Sequence, residues 1–319
     1  MRVLVTGAGG YVGGALVRRL LADGQIAGRT LGELVATDLR LDGLPSDARL
    51  QAVAGDLSQA ATQDALFAAP LDVVFHLASV PGGTAEAQPA LARRVNLDAT
   101  LDLFDRSRQQ VEAGGAVPRV VFASTIAVYG LPMPAMVDDT TPCSPQMSYG
   151  AQKWMGEIAL ADASRRGWAD GVSLRLPGVL ARPPAPTGQL SAFMSDLLRE
   201  LSQGRAFTCP TGPDATTWAS SIHNVLDNLL HAAVVAADRL PASRALLLPT
   251  QRFAMAGLVA AVEQVFGTPA QALVRWAPDA HIERLFGRFP ARQPPAAAAA
   301  GFAPDGDLPT LVRRSLAPA

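Results

Sequence analysis

The segment "RVLVTGAGGYVGGALVRRLLADG", residues 2–24, contains a short apolar run, a glycine-rich turn and a helical pattern, in that order. Residues 2–6 have the character of a buried strand, and the apolar residues of 13–24 recur at helical spacing up to Gly24. A strand that leads through glycines directly into a helix is typical of an α/β fold with a parallel sheet. We therefore predict that the chain begins with a strand–turn–helix unit.

Three glycines of this turn, Gly7, Gly10 and Gly13, have the spacing GxxGxxG. In such a turn the first glycine lets the chain reverse, the second lets the backbone approach a pyrophosphate, and the third lets the helix pack close to the strand. The N-terminus of the helix then faces the phosphates. A glycine triplet alone is weak evidence, but the strand before it and the helix after it are the context that a dinucleotide-binding fold requires.

An acidic residue, Asp38, ends the second apolar run, "GELVATD" at 32–38. A carboxylate at this place accepts hydrogen bonds from the adenosine ribose and repels a ribose phosphate, which favours NAD over NADP. Arg40 is a possible counter-signal, because a guanidinium would bind that phosphate instead. We expect the cofactor to be NAD.

Strand and helix patterns alternate for about 180 residues, which predicts a Rossmann-type doubly wound parallel sheet. The further strand-like runs lie at 50–57, 71–79, 118–125 and 171–179, and the helical patterns lie at 61–69, 92–114 and 149–165.

Beyond residue 180 the alternation stops at the proline-rich segment 181–188. We predict an NAD-binding domain over 1–180, with a returning helix near 221–237. Residues 181–319 would form mainly a smaller C-terminal α/β substrate lobe. The alanine run at 296–300 is expected to be a packed helix, because apolar spacing resumes after it.

Composition limits the partners. The 319 residues include 27 basic and 28 acidic side chains, and a formal net charge of -1 gives no field that would attract nucleic acid or an anionic membrane. The longest apolar stretch, 228–237, is too short to cross a bilayer, and no secretory signal follows Met1. Cys143 and Cys209 belong to no metal-spaced cluster. We expect a cytoplasmic protein with two free thiols, no metal, and neither nucleic acid nor membrane among its partners.

A tyrosine and a lysine, Tyr149 and Lys153, lie four residues apart in "SYGAQKWMGE" at 148–157. On a helix they share one face, so the ammonium is expected to favour the phenolate. This spacing also occurs by chance, and the pair alone is a weak indication of catalysis.

Seven motifs, in order along the chain, resemble the extended short-chain dehydrogenase/reductase family, also called the NAD-dependent epimerase/dehydratase family. They are "TGAGGYVG" at 6–13, "GDL" at 55–57, "HLAS" at 76–79, "RVNLDAT" at 94–100, "FASTIAVYG" at 122–130, "SYGAQK" at 148–153 and "RLPGVLARP" at 175–183.

The resemblance implies a set of cofactor-binding residues, within which Asn96 would brace the strand behind the cofactor cleft. The set is Gly7, Gly10, Tyr11, Val12, Gly13, Asp38, Asp56, Leu57, Leu77, Ala78, Ser79, Asn96, Ser124, Tyr149, Lys153, Leu176 and Pro177.

The resemblance also implies that Tyr149 and Lys153 are the acid/base pair, aided by Thr125 or Ser124. A free tyrosine has a pKa near 10, so it needs a nearby lysine and the positive nicotinamide ring to act as a base. Lowering the pKa by about 3 requires about 4 kcal/mol of differential stabilisation. One of the two hydroxyls would hold the substrate oxygen, and which one is left open. Ser79, Thr125 and Arg182 are the expected substrate contacts.

Three reactions occur in this family. Dehydratases place Asp and Glu after the active-site threonine, but Ile126 and Ala127 stand here and cannot move protons, which argues against dehydration. The chain is similar to family members that use NAD to oxidise C2 of a four-carbon sugar acid such as D-erythronate. Departures from that pattern are "STIAVYG" and "GPDATTWASSIHNV". A nucleotide-sugar epimerase is the alternative, and a non-catalytic NAD-binding regulator is less favoured because such proteins lack the Tyr/Lys pair.

Three further expectations concern single residues and assembly. Arg182 would bind the substrate carboxylate, or else form an interlobe salt bridge. His76 would stack at the sheet edge, and His223 would cap or line the start of a helix. The family often forms homodimers through helices that correspond to residues near 90–110 and 149–166, so a homodimer is expected.

Overall fold

The computed structural model of the protein describes residues 1–183 and 190–318. Residues 184–189, which belong to the proline-rich segment, lie outside the described residues. The strands are β1 (Arg2–Thr6), β2 (Gln25–Ile26), β3 (Arg29–Thr30), β4 (Glu33–Asp38), β5 (Leu50–Ala54), β6 (Val73–His76), β7 (Arg119–Thr125), β8 (Met136–Asp138), β9 (Asp170–Leu176), β10 (Gly178–Val179), β11 (Phe207–Cys209), β12 (Thr216–Ser220), β13 (Ala245–Leu247), β14 (Gln251–Ala254), β15 (Val274–Trp276) and β16 (Ala291–Gln293).

The helices alternate with the strands through the first half of the chain and then cluster in the second half. They are α1 (Tyr11–Asp23), α2 (Ala60–Leu66), α3 (Gly82–Ala87), α4 (Pro89–Ala92), α5 (Ala99–Glu112), α6 (Ser148–Arg165), α7 (Phe193–Ser202), α8 (Ile222–Ala232), α9 (Met255–Phe266), α10 (Ala270–Leu273), α11 (Ala280–Phe286), α12 (Pro295–Ala299) and α13 (Leu308–Leu316). A π-helical turn, Arg93–Asp98, joins α4 to α5, and the 3-10 turn Ile126–Tyr129 follows β7.

The main sheet has seven strands in the order β13-β9-β7-β6-β1-β4-β5. Every neighbouring pair in it is parallel. The chain order reverses between β1 and β6, and in open α/β sheets the ligand crevice opens at such a switch point, outside the carboxyl ends of the strands. The predicted doubly wound parallel sheet is confirmed.

Both faces of this sheet are covered by helices. In β1, Val3 and Val5 pack into a core that includes α1 and α8, whereas Leu4 faces the opposite core, which includes α5 and α6. A strand buried on both faces reads as a continuous apolar run, which explains why the strands of this half were visible in the sequence.

The C-terminal half has its own hydrophobic core, which is formed by α7, α9 and α13 and includes Leu197, Leu258 and Leu311. Small sheets flank it: β10-β12-β14, β11-β15 and β16-β8. The lobe is therefore α/β, as expected.

Several segments of the C-terminal half pack into the core that β1 forms with α1 and α8. The returning helix predicted near 221–237 is α8, which ends at Ala232. Strand β13 extends the main sheet beside β9, and α12 contributes Ala297 to the core that contains α1 and α8. The alanine run is thus a packed helix as predicted, while the division at residue 180 stays a prediction.

Two predicted elements are interrupted. The apolar run 171–179 breaks at Pro177, whose backbone has no N–H to donate to a sheet, and β9 therefore ends at Leu176. The helix predicted over 92–114 contains the π-helical turn, which includes Asn96. Within the described residues, none of the helices is long and apolar enough to cross a membrane, and no cluster of three or more His, Cys, Asp or Glu has the arrangement of a metal site.

Candidate active site

The glycine-rich loop between β1 and α1 is built so tightly that side chains do not fit. Gly7 has φ 72°, and a Cβ there would lie 2.7 Å from the Ala78 nitrogen. A Cβ on Gly13 would lie 2.1 Å from the Gly7 oxygen. The Gly10 N–H donates to the Gly7 carbonyl at 3.0 Å and directs the chain into α1. Because the first N–H groups of a helix have no intrahelical partner, those at Tyr11, Val12 and Gly13 form a site for phosphate.

Asp38 closes the other side of this loop. Its carboxylate accepts the Gly9 N–H at 3.0 Å and the Leu39 N–H at 2.7 Å. Arg40 is 87% exposed and pairs with Asp42 at 3.3 Å. The position predicted to bind the ribose therefore carries a carboxylate, while the nearby guanidinium is held by an acidic neighbour.

Asp56 and Leu57 lie just beyond β5. The Asp56 carboxylate accepts hydrogen bonds from the Ser58 N–H at 2.9 Å and from the Ser58 hydroxyl at 2.8 Å. The pKa of Asp56 is lowered chiefly by the hydrogen bond from the Ser58 N–H, and the carboxyl group therefore stays ionised. Leu57 is 7% exposed, so most of its side chain packs into the core.

Asn96 is fully buried and holds the loop that follows β6. Its Oδ1 accepts the Val80 N–H at 2.7 Å, and its Nδ2 donates to the Val80 carbonyl at 3.1 Å and to Gln152 Oε1 at 2.9 Å. Asn96 was expected to brace the strand behind the cofactor cleft, and its side chain instead bonds to the loop after β6, so its place in the cofactor-binding set stays a prediction. It braces the loop that contains Leu77, Ala78 and Ser79, on the cofactor side of the sheet.

The first turns of α6 bring the tyrosine and the lysine together. The Ser79 and Thr125 hydroxyls lie close enough to the Tyr149 phenol to lower its pKa. Lys153 is 1% exposed, and its Nζ lies 4.6 Å from the centre of the Phe122 ring and 5.9 Å from that of Tyr149. Ser79, Thr125 and Lys153 are thus all near the Tyr149 side chain.

The electrostatics of this pair differ from the prediction. Burial raises the pKa of Tyr149, and the opposing influences are the hydrogen bond from Ser79, the charge of Arg182 and the hydrogen bond with Thr125. Burial also lowers the pKa of Lys153 from 10.5 to about 7. The lowered tyrosine pKa was expected from Lys153 together with the nicotinamide ring, and it stays a prediction, whereas in the polypeptide alone loss of hydration raises the pKa of Tyr149.

The choice between Ser124 and Thr125 follows from strand geometry. Successive side chains of a strand point to opposite faces. The Ser124 hydroxyl donates to Glu157 Oε1 at 2.5 Å and is 2% exposed. The Thr125 hydroxyl accepts the Ala127 N–H at 3.1 Å and lies on the side of Tyr149, whose pKa it lowers. The Ser124 hydroxyl is thus taken up by Glu157 and the Thr125 hydroxyl faces Tyr149, while the contact of Ser124 with cofactor or substrate stays a prediction.

Arg182 lies just beyond β10, where the chain leaves the sheet for the second lobe. Its N–H donates to Ser195 Oγ at 3.2 Å, and its carbonyl accepts from the Arg199 guanidinium. Both contacts are with α7. Its charge acts on Tyr149 and Tyr11, and burial lowers its pKa. Arg182 thus lies near the Tyr149 phenol.

The end of β9 forms the remaining wall. Leu176 is partly buried against the core that contains α1 and α8, and Pro177 is buried. Across the cleft the Tyr11 hydroxyl donates to the Leu180 carbonyl at 3.2 Å, which ties the start of α1 to the second lobe.

His76 and His223, the two histidines for which the sequence raised an expectation, have structural roles. His76 is fully buried in the interior strand β6, not at the sheet edge as expected, and its ring nitrogens bond to Thr6 at 2.7 Å and Thr100 at 2.8 Å. Burial lowers its pKa to about 3, so it stays neutral. The start of α8 is capped by Ser221, and His223 only lines that start.

Sequence reasoning missed Glu157 and Arg175, which form an ion pair of 2.7 Å behind the site. Glu157 lies eight residues after Tyr149, two helical turns along the same face, and this spacing was the available signal. Arg175 comes from β9, and nothing local to α6 indicates it.

Comparisons with known proteins were made for the whole chain. The sequence model of the NAD dependent epimerase/dehydratase family matches residues 3–224. The D-erythronate dehydrogenase of Cupriavidus necator is 38% identical over 98% of this chain and 97% of its own length. The D-erythronate dehydrogenase of Haemophilus influenzae is 28% identical over 98% of both. A solved structure described as a nucleoside-diphosphate-sugar epimerase from Agrobacterium tumefaciens is 33% identical, with a TM-score of 0.92 over 98% of this chain and 92% of that one.

Proposed function

The chain belongs to the NAD-dependent epimerase/dehydratase family, and from this premise we propose that it oxidises a small sugar acid such as D-erythronate to its 2-oxo acid. The family is enzymatic and uses NAD. The glycine loop fits this cofactor, since a Cβ on Gly7 or Gly13 would collide with the backbone of Ala78 or of Gly7 and would open the tight turn that leads from β1 into the N-terminus of α1. When bound, NAD accepts a hydride from the carbon that is oxidised.

In the proposed reaction the residues around Tyr149 remove the hydroxyl proton. Tyr149, as the phenolate, takes the proton from the C2 hydroxyl while the C–H electron pair of C2 leaves as hydride, so that C2 becomes a carbonyl. Thr125 and Ser79 hold the substrate oxygen, because both hydroxyls lie close enough to the phenol to affect its pKa. Arg182 binds the substrate carboxylate through its planar pair of donors. The similarity over nearly the whole chain to the D-erythronate dehydrogenase of Cupriavidus necator is the observation that carries this proposal.

A nucleotide-sugar epimerase is the second candidate, because the solved structure from Agrobacterium tumefaciens is described as one. Full-length similarity to two dehydrogenases that act on D-erythronate favours oxidation. Ile126 and Ala127 after Thr125 argue against dehydration, because neither side chain can serve an elimination, but they do not separate oxidation from epimerisation.

The test is a panel of sugar acids and UDP-sugars assayed with NAD, in which NADH formation is followed by absorbance and each UDP-sugar is analysed for epimerisation. We expect NADH from erythronate-like acids and neither reaction from UDP-sugars. Rapid epimerisation of a UDP-sugar, without NADH from any acid, would overturn the dehydrogenase proposal.

A homodimer through α5 and α6 is also proposed. These helices expose Leu101, Met155 and Ile158, which are 39%, 42% and 56% accessible, and a second copy would cover them. Light scattering should give twice the chain mass of 33.2 kDa. A single-chain mass at working concentration would contradict the dimer. The free thiols of Cys143 and Cys209 fit the proposed cytoplasmic location, where thiols stay reduced.

A further inference from the structure

One buried carboxylate, that of Glu157, joins three elements that form the active site. It is on α6, it accepts the Ser124 hydroxyl from β7 at 2.5 Å, and it pairs with the Arg175 guanidinium from β9. The arginine contact is two-pronged, with Nε 3.0 Å from Oε1 and Nη2 2.7 Å from Oε2. The side chains of Glu157 and Arg175 are 3% and 12% exposed, so water competes little for these bonds.

Each partner in this network is next to a residue of the site. Ser124 directly precedes Thr125, and Arg175 directly precedes Leu176. Glu157 lies two turns beyond Tyr149 on α6, which places it about 12 Å along the helix. The Glu157 carboxylate therefore links α6, which carries Tyr149, to β7, which ends at Thr125, and to β9, which ends at Leu176.

Thr125 is fixed from both sides by the same network. The residue before it bonds to Glu157, and the 3-10 turn after it ends at Tyr129, whose hydroxyl accepts Arg175 Nη1 at 2.9 Å. The guanidinium carbon also lies 5.2 Å from the centre of the Tyr129 ring. A shift of Arg175 would therefore move the backbone on which the Thr125 hydroxyl is mounted.

We infer that Glu157, Arg175 and Ser124 are positioning residues that set the placement of the Thr125 hydroxyl relative to the Tyr149 phenol. The inference rests on the proposed function, because turnover is its first readout. A buried ion pair is by itself weak evidence for stability, since apolar side chains of similar volume often replace one without loss. A misplacement of about 1 Å at a reacting centre lowers the rate by about a hundredfold, so the geometry of the pair affects catalysis more than its energy affects folding.

The chain offers a matched control on the same two strands. Asp170, at the amino end of β9, pairs with Arg119 of β7 at 3.0 Å and with Arg244 at 2.7 Å. It is also a carboxylate that bonds two neighbours across the sheet. Since six residues of a strand separate Arg119 from Thr125, the control lies about 20 Å from the site.

The experiment compares Glu157→Gln with Asp170→Asn in the full chain. Glutamine keeps the size and one acceptor for Ser124, but it loses the charge that orients Arg175. We expect kcat of Glu157→Gln to fall about tenfold to a hundredfold, with KM for the acid within about threefold. The Asp170 carboxylate is 32% exposed, so Asp170→Asn should lower the melting temperature by less, and it should keep kcat within about threefold of wild type. A purely structural role does not produce a fall in kcat at nearly constant KM in one variant when the control variant shows no such fall.

A second variant, Ser124→Ala, removes only one bond and keeps the ion pair. It should fold if Glu157→Gln does not, and its kcat should fall by about threefold to tenfold. If the folded variants at 124 and 157 keep kcat within threefold of wild type, or if Asp170→Asn loses as much kcat as they do, the inference is overturned.

The inference can fail separately from the proposed function. If the wild type oxidises no acid of the panel, the proposed function fails and crystal structures of wild type, Ser124→Ala, Glu157→Gln and Asp170→Asn decide the inference. A change of more than about 0.5 Å in the Thr125 Oγ1 to Tyr149 Oη distance, in the variants at 124 or 157 but not at 170, supports it. An unchanged distance overturns it.

Discussion

Replacement of Lys153 by methionine should stabilise the protein while it removes activity. The ammonium is 1% exposed, and burial lowers its pKa from 10.5 to about 7. A cation that prefers to lose its proton on folding opposes folding at any pH where the unfolded chain holds that proton. Methionine has nearly the same length and no charge, so Lys153→Met removes the penalty without opening a large cavity.

The size and the pH range of the effect follow from these two pKa values. Below pH 7 both states are protonated and the penalty is complete. Between pH 7 and 10.5 only the unfolded chain binds the proton, so wild-type stability rises with pH, and above 10.5 the difference is gone. A tenfold change in an acid dissociation constant corresponds to 1.36 kcal/mol of free energy. Lys153 therefore lowers the free energy of unfolding of the wild type by about 5 kcal/mol below pH 7 and by about 2 kcal/mol at pH 9. These are upper limits, because the Phe122 ring 4.6 Å away stabilises the ammonium.

The assay is urea denaturation of both proteins at pH 7 and pH 9, without added nucleotide. Lys153→Met should be the more stable protein at pH 7, and its advantage should shrink at pH 9. Tyr149→Phe is the control, because it also removes a site residue but keeps the lysine, so it should retain the wild-type rise with pH. A wild-type stability that stays level between pH 7 and 9, or a methionine variant no more stable at pH 7, would refute the reasoning.

The remaining predictions concern the base, the cofactor and the substrate. Tyr149→Phe should lose about two to four decades of turnover and keep its affinity for NAD, because only the proton-accepting oxygen is removed; turnover within threefold of wild type would contradict its role. Asp38→Ser should lower the ratio of kcat/KM with NAD to that with NADP, because a carboxylate that repels a ribose phosphate is lost, and a tenfold preference of the wild type for NADP would show that Asp38 has been misread. Arg182→Lys keeps the charge but loses the planar fork, so KM for the acid should rise more than kcat falls; unchanged kinetics of Arg182→Ala would remove Arg182 from the site.

The parts of the fold that could be predicted from sequence are set by local geometry. Gly7 and Gly13 were readable because a tight turn between a strand and a helix excludes side chains whatever else the chain does. Tyr149 and Lys153 were readable because a helix places residues four apart on one face. The interior strands of the main sheet, β1, β4, β6, β7 and β9, were readable because both of their faces are buried.

The parts that could not be predicted depend on residues far apart in the chain. Asn96 bonds Gln152 across 56 positions, and Glu157 bonds Ser124 across 33. Such pairs exist only once the sheet order is fixed. β13 was missed for a similar reason, because three residues beside β9 carry too little periodicity to be recognised as a strand.

The ionisation of Tyr149 shows why a spacing motif alone does not make a base. The lysine that shares its helix face is buried deeply enough to lose much of its own charge near pH 7. The cation that acts on the phenol is Arg182, which follows Tyr149 by 33 residues and reaches it only because β9 and β10 lead the chain back to the cleft. If Arg182 binds the substrate carboxylate as proposed, that carboxylate offsets part of its positive charge. The pKa of Tyr149 is then higher in the enzyme–acid complex than in the free enzyme, so the acid limb of the kcat profile should lie at higher pH than that of kcat/KM.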